Sequence, residues 1–275
     1  MVRGLYDENM TSASKSALVE VASALHIYRN DFILAGGWVP YFLTRQYFDH
    51  CGSKDIDLVL RPSVMPRYKS MRQIVERLGY SEVAGNPFRF ERQVPSPIDK
   101  QMYRVELDFL TEPSAAQEVY PLVKIQHDLR ACLIEGSSVV FKLNRRESVE
   151  GVLPGDGATS AEIRMASVAS CLTMKGLALP RLSDKDSYDI YAVAGFCGGG
   201  PNQASQAFLD DLGSAQMEER ELNALNNGLN RIRAAFKDAD SQGPYAASRF
   251  SDQITRTESF MRVSTFLTGL PSMFR

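Results

Sequence analysis

The sequence predicts a mixed α+β fold, with a sheet-bearing first half flanked by helices and a mostly helical second half. Three observations carry this. A short apolar run at 32–34 stops at Gly36-Gly37, as a buried strand does when it breaks into a turn. The segment DIDLVL (55–60) alternates with period two, setting Ile56, Leu58 and Leu60 against Asp55, Asp57 and Val59. Beyond Ile163 the apolar positions recur at helical spacing over most of the chain.

The elements follow in order. Residues 14–28 place Ala17, Leu18, Val21, Ala22 and Leu25 at helical spacing and predict a first amphipathic helix. A second is expected over 38–47, with Pro40 tolerated in its first turn. Residues 66–79 predict a third, with Met71, Ile74, Val75 and Leu78 on one face and Gly79 as the stop. Strands are expected at 88–93 and 103–110, and VFKL (140–143) and EGVL (150–153) as two more. Helices are expected over 167–178, 185–194, 203–212, 218–237 and 252–267, with GFCGGGPN (195–202) as a loop. The turn-rich GDGATS (155–160) marks the change of character. Two units are therefore expected, residues 1–155 and 156–275, packed together because no low-complexity linker divides them. No internal repeat is visible.

Composition narrows the function only coarsely. A chain of 275 residues, 44% hydrophobic and 23% charged, buries a sizeable core and is not wholesale disordered. A net charge of −2 argues against a generally basic nucleic-acid coat protein. Four scattered cysteines without a CxxC pair exclude a zinc ribbon or a thioredoxin-like site. Free thiols and a cytoplasmic setting are expected instead. The N-terminus lacks the apolar core of a signal peptide, and no stretch reaches membrane-span length, so no membrane partner is expected.

The chemistry concentrates on Asp55 and Asp57. Period two sends both carboxylates to one face, where they repel unless a cation or donors intervene. Hard oxygen ligands suit magnesium. Alone, Asp-x-Asp is common at strand ends and turns. Here it follows a strand, a Gly36-Gly37 turn and a helix. A glycine turn lets backbone N–H groups approach phosphate oxygens, and Ser53 offers a hydroxyl nearby. RVELDFL (104–110) adds Glu106 and Asp108 on one face of another strand. Three carboxylates on neighbouring strands suit the two-metal template for in-line phosphoryl or nucleotidyl displacement.

Other signals are weaker. Residues 61–104 carry nine Lys and Arg against four Asp and Glu, a basic surface for a triphosphate or RNA backbone, or simply a solvated face. Arg89 and Arg92 stand out because they alternate with aromatics in PFRFER. His50-Cys51 lacks an orienting acid and gives little support to a thiol protease. His26 and His127 read as structural. Gly198-Gly199-Gly200 lacks the Lys and Ser or Thr of a P-loop, and no GxGxxG fingerprint is present.

LAGGWVPYFL, GSKDIDLVL and ELDFL together resemble the polymerase-β-type nucleotidyltransferase superfamily. The GGW form is also similar to the aminoglycoside and lincosamide nucleotidyltransferases. LTMKGLALPRLSDKDSYDIYAV (172–193) resembles the Lys…Lys/Arg-Asp-x-x-Asp motif of the abortive-infection and toxin–antitoxin branch. The resemblance covers roughly residues 30–195. It implies a nucleotidyltransferase-like mixed sheet and a nucleoside triphosphate as co-substrate. It implies two magnesium ions held by Asp55, Asp57 and Asp108, with Asp108 preferred to Glu106 as the third carboxylate and general base. It gives Gly36, Gly37, Ser53, Lys175 and Asp189 to the nucleotide, and Lys175 and Asp186 to catalysis. The toxin-like branch implies a tRNA acceptor and an antitoxin protein as partner. The GGW likeness implies an antibiotic hydroxyl instead, and a non-catalytic nucleotide-binding protein on the same fold is the third reading.

The residues have bland readings too. Lys175 could be a lysine snorkelling at a helix edge, and Asp186 an acid complementing a helix dipole. Neither accounts for Asp189 beside Tyr188 and Tyr191. The chain also departs from the family pattern. The spacing from Gly37 to Asp55 is long, with an insertion around YFDHCG (47–52), and Ser53-Lys54 replaces an Arg-containing pair. Lys185-Asp186 stands where Arg-Asp is commoner, which keeps the charge but loses the bidentate fork.

Overall fold

A mixed sheet of nine strands organises the first part of the chain. The computed structural model describes residues 6–65, 67–112, 121–155 and 157–271, and the fold is given for those residues. The chain enters through helix α1 (Glu8–Ala24), whose N-cap Asp7 accepts from the Met10 N–H at 2.7 Å. The apolar face read from the sequence is the face it buries, with Ala17 and Leu18 fully enclosed. Strand β1 (Phe32–Ala35) is buried along its whole length, as its unbroken apolar run requires. Helix α2 (Trp38–Thr44) follows the glycine turn, and strand β2 (Asp55–Leu60) returns antiparallel to β1.

Helix α3 (Met71–Arg77) is shorter than expected, because a capping box of Ser70 and Gln73 starts it there. Residue 66, where the expected helix begins, lies outside the described residues. Gly79 follows at φ +89°, as the predicted stop. Strands β3 (Ser81–Val83), β4 (Asn86–Pro95) and β5 (Met102–Thr111) form a meander. A hairpin of β6 (Leu122–Gln126) and β7 (Leu129–Leu133) joins the end of β5.

VFKL does not form a strand. It lies largely in helix α4 (Ser137–Lys142), which starts after Gly136 at φ +81°. Val140 and Leu143 are buried three residues apart with Lys142 exposed between them, a helical spacing that four residues of sequence disguise as alternation. EGVL falls mainly in strand β8 (Asn144–Val152), which pairs along its length with β9 (Ala158–Ala166). Strand β9 also lies parallel to β1, with Leu34 opposite Met165. The sheet thus continues past residue 155 to residue 166. The full order is β3-β4-β5-β2-β1-β9-β8, with the β6–β7 hairpin attached beside β5. Helix α1 lies across β4, β5, β8 and β9.

The remainder is helical. It comprises α5 (Val168–Ala178), α6 (Asp184–Phe196), α7 (Pro201–Gly213), α8 (Glu219–Ala235), α9 (Gln242–Phe250) and α10 (Arg256–Gly269). The expected loop at 195–202 holds a 3₁₀ turn at Cys197–Gly199 and the start of α7. Helices α5 and α8 approach closely at Gly176 and Gly228, where a Cβ on Gly176 would stand 2.3 Å from the Gly228 carbonyl oxygen. Helix α6 is buried almost throughout and anchors a second apolar cluster of Tyr188, Tyr191, Phe250 and Ile254.

The insertion between Gly37 and Asp55 docks on that cluster. Phe48 stacks on Phe196 with ring centroids 4.5 Å apart, and the Cys51 N–H donates to the Tyr188 hydroxyl at 3.2 Å. The long spacing therefore ties the glycine turn to α6. All four cysteines are free. Among the described residues no helix is long and apolar enough to cross a membrane.

Candidate active site

The end of β1 and the start of β2 set the first wall. Antiparallel pairing places Ala35 opposite Asp57, so the next residue, Gly36, turns beside that carboxylate. Gly36 has φ +66°, and a Cβ there would lie 1.8 Å from Asp57 Oδ2. Only glycine meets both demands. A Cβ on Gly37 would in turn meet the Ser53 Oγ at 2.5 Å, with Lys185 Nζ beyond it at 3.7 Å. Turn, hydroxyl and ammonium therefore share one corner.

Strand β5 runs parallel to β2, with Asp57 opposite Asp108 and Asp55 opposite Glu106. Four acids thus face one side of two strands that lie about 4.8 Å apart. Burial pushes the Asp57 carboxyl up to about 7, reinforced by Asp108 and Asp55. Burial likewise pushes Asp55 up to about 6, against the pull of Lys54. Among the described residues, neither Asp55 nor Asp57 has a hydrogen-bond or ion-pair partner on its side chain.

Asp108 differs. It is 6% exposed, and Arg89 of β4 stands directly opposite it in the ladder. Arg89 Nε donates to Asp108 Oδ1 at 2.8 Å and Nη2 to Oδ2 at 2.6 Å. Arg89 Nη1 reaches Glu106 Oε2 at 2.7 Å. Burial still raises the Asp108 carboxyl, with the guanidinium opposing it.

Helices α5 and α6 supply the facing wall. Lys175 Nζ lies 2.8 Å from Asp186 Oδ1 and 2.7 Å from Asp189 Oδ2. Lys185, one helical turn before Asp189, bonds the other oxygen of that carboxylate. His50 Nε2 lies 2.9 Å from the same oxygen, and the Gly52 N–H donates to His50 Nδ1. That second bond fixes a neutral imidazole with the proton on Nε2. Burial, then Lys185, holds the His50 pKa down at about 4. Burial alone would raise Asp189, but Lys175, Lys185 and His50 outweigh it and hold the carboxyl far below the usual range. The two acids outweigh burial at Lys175 and keep it charged.

These walls enclose a cleft of about 420 Å³. Gly36, Gly37, Ser53, Asp55, Asp57, Asp108, Lys175 and Asp186 all line it, as do Arg89 and Lys185. Asp189 is placed differently from the expectation. It is fully buried beneath the cleft and acts on it only by holding the two lysines. No family model, curated protein or solved structure matches the chain.

The metal expectation meets a divided site. Asp55 and Asp57 are close, unpartnered and electrostatically frustrated, which fits one hard cation. Asp108 has both oxygens engaged, and among the described residues no group of three or more His, Cys, Asp or Glu side chains is arranged to hold a metal ion.

Alternation with aromatics marks Arg89 in the sequence, but its clamp on Asp108 has no sequence signal. Lys185 is a cleft residue not expected from the sequence, and its i, i+4 spacing to Asp189 is the signal that could have found it. Tyr6, Phe88, Cys132 and Arg181 also line the cleft and carried no signal. Arg92 lies elsewhere, bonded to Glu20 of α1. Several other arginines of the basic stretch are taken up by acids, as Arg67 is by Asp31, Arg72 by Glu76 and Glu82, and Arg104 by Glu91.

Proposed function

We propose that the protein is a metal-dependent nucleotidyltransferase, moving a nucleoside monophosphate from a nucleoside triphosphate to an acceptor hydroxyl. One observation carries the reading. Residues from five separate places in the chain, which the family resemblance selects by sequence, line a single cleft in which two carboxylates lack a partner among the described residues. A divalent ion bound there would neutralise the triphosphate and stabilise the departing pyrophosphate.

The chain's own residues do the rest. Lys175 and Lys185 face the cleft from α5 and α6, where fixed cations favour a polyphosphate. Gly37 and Ser53 line the cleft at the turn, where a backbone N–H and a hydroxyl can donate to phosphate oxygens. The acceptor oxygen attacks the α-phosphorus, the bond to the bridging oxygen of pyrophosphate breaks, and the hydroxyl proton passes to a base. Burial raises the Asp108 pKa, but Arg89 occupies both of its oxygens, so the carboxylate is poorly placed to receive that proton. Its support as a positioning group is stronger. The resemblance to the toxin-like branch supports a tRNA acceptor and an antitoxin partner.

The test uses α-labelled triphosphates with magnesium, offered with total RNA and with small hydroxyl compounds including aminoglycosides. Label transfer by wild type and its loss in Asp57→Ala is expected. If no acceptor is labelled, and Asp57→Ala binds triphosphate as wild type does, the reading fails. The Arg89 clamp favours a second reading, a nucleotide-binding protein without turnover. Magnesium-dependent triphosphate binding with no labelled acceptor would select it.

A further inference from the structure

The cleft divides its four acids into two groups. Asp55 and Asp57 have no partner, whereas Asp108 and Glu106 share one guanidinium. The division follows from register. Arg89 of β4, Asp108 of β5 and Asp57 of β2 form one row across three adjacent strands. The next row runs through Glu91, Glu106 and Asp55.

We propose that Arg89 stands where the second ion of a two-metal site would sit, so that the cleft takes one divalent cation, between Asp55 and Asp57. This rests on the nucleotidyltransferase reading for the chemistry of the ion. A third carboxylate that serves a second ion must turn its oxygens to that ion with no other cation seated against them. Both Asp108 oxygens instead accept from Arg89 in a fork that matches carboxylate geometry. The third guanidinium nitrogen is spent on Glu106, which Arg104 also grips from outside at 2.9 Å.

Departure of Arg89 would leave Asp108, 6% exposed, with its charge uncompensated. That cost holds the clamp in place. The local charges point the same way: among the described residues the two free carboxylates face no partner cation, whereas Asp108 and Glu106 already share Arg89, and Glu106 also shares Arg104 with Glu91. Arg89 is then a positioning residue. It fixes Asp108 and removes it from the ligand set.

The experiment counts Mn²⁺ by electron paramagnetic resonance on the full chain, saturated with a non-hydrolysable triphosphate analogue. Wild type is expected to bind one ion per protein and Arg89→Met two. Two ions on wild type would overturn the inference and leave the nucleotidyltransferase reading intact. One ion on both proteins would also overturn it, since Arg89 would not be what excludes the second. No protein-bound ion on wild type would sink the reading itself.

Should Arg89→Met fail to fold, the double variant Arg89→Met/Asp108→Asn decides, because it exchanges a neutral pair for a neutral pair. Its Mn²⁺ affinity is expected within about threefold of wild type, whereas Asp57→Asn, which loses a ligand, weakens binding by about tenfold or more. A tenfold loss in the double variant would make Asp108 a ligand and overturn the inference.

Discussion

Asp189→Asn probes the ion cluster beneath the cleft. Asparagine keeps the volume and removes the charge. Lys175 would retain Asp186 at 2.8 Å, but Lys185 would lose its only ion-pair partner among the described residues. Removing one member of a buried ion pair costs about 3–5 kcal/mol. Lys185 keeps 9% of its side chain exposed and can lift its ammonium toward the cleft, which puts the expected cost near the lower end, about 3 kcal/mol. For a chain of this size that is a fall in Tm of about 6–12 °C.

The pH dependence has a definite sign. The Asp189 carboxyl is depressed in the folded state, so its stabilisation is present above the unfolded pKa near 4 and shrinks as pH falls below it. His50 is depressed as well, to about 4, so its contribution is present above about pH 6.5 and is lost between there and pH 4. Because His50 titrates in both proteins, the gap between wild type and Asp189→Asn should hold from pH 7 to about pH 4 and narrow by up to about 1.4 kcal/mol per unit below that, where only wild type loses the Asp189 charge. Urea unfolding at pH 7, 4 and 3 measures it. A loss under about 1 kcal/mol at pH 7, or a gap that does not narrow in acid, would refute the argument that these charges are coupled.

Three further outcomes are expected. Asp57 has a raised folded pKa, so it costs the native state stability as pH rises from about 4 to about 7. Without divalent ions, Asp57→Asn should therefore be more stable than wild type by roughly 1–2 kcal/mol at pH 8 and not at pH 4; equal melting shifts at both would contradict this. Magnesium at pH 8 should raise the Tm of wild type and leave that of Asp57→Asn unchanged, because only the former retains both free carboxylates. Gly228→Ala should cost about 1–3 kcal/mol in thermal melts, since its Cβ would meet the Thr173 carbonyl oxygen at 2.7 Å and force α5 from α8.

The fold was legible where one local period ruled. DIDLVL has one face in the core and one in the cleft, so alternation marked it. The same test failed on β9, whose first half alternates between exposed and half-buried residues in a ribbon with β8 and so carries no apolar period. It failed again at α4, because six residues are too few to separate a helix from a strand. Helix α9 escaped because its buried face is built from Gly243, Pro244 and Ala246 as much as from Phe250. Such residues bury well without reading as apolar.

The site was legible in its acids but not in what balances them. Asp55 and Asp57 could be chosen from local alternation after a glycine turn, while Asp108, Lys175 and Asp186 were chosen by the family resemblance of the short stretches that hold them. Their counter-charges come from elsewhere in the chain. Lys185 sits one helical turn from Asp189, but His50 joins them only because an insertion folds back on α6. Arg89 meets Asp108 only because β4 and β5 pair in one register. The turn between them fixes that register, with the Ser96 N–H bonded to the Gln101 carbonyl and the Lys100 N–H to the Ser96 carbonyl. A slip of one residue would turn Arg89 to the other face of the sheet and leave both Asp108 oxygens free for an ion. On the single-ion proposal, a distant hairpin turn decides the metal content of the cleft, and no motif around the acids could have disclosed it.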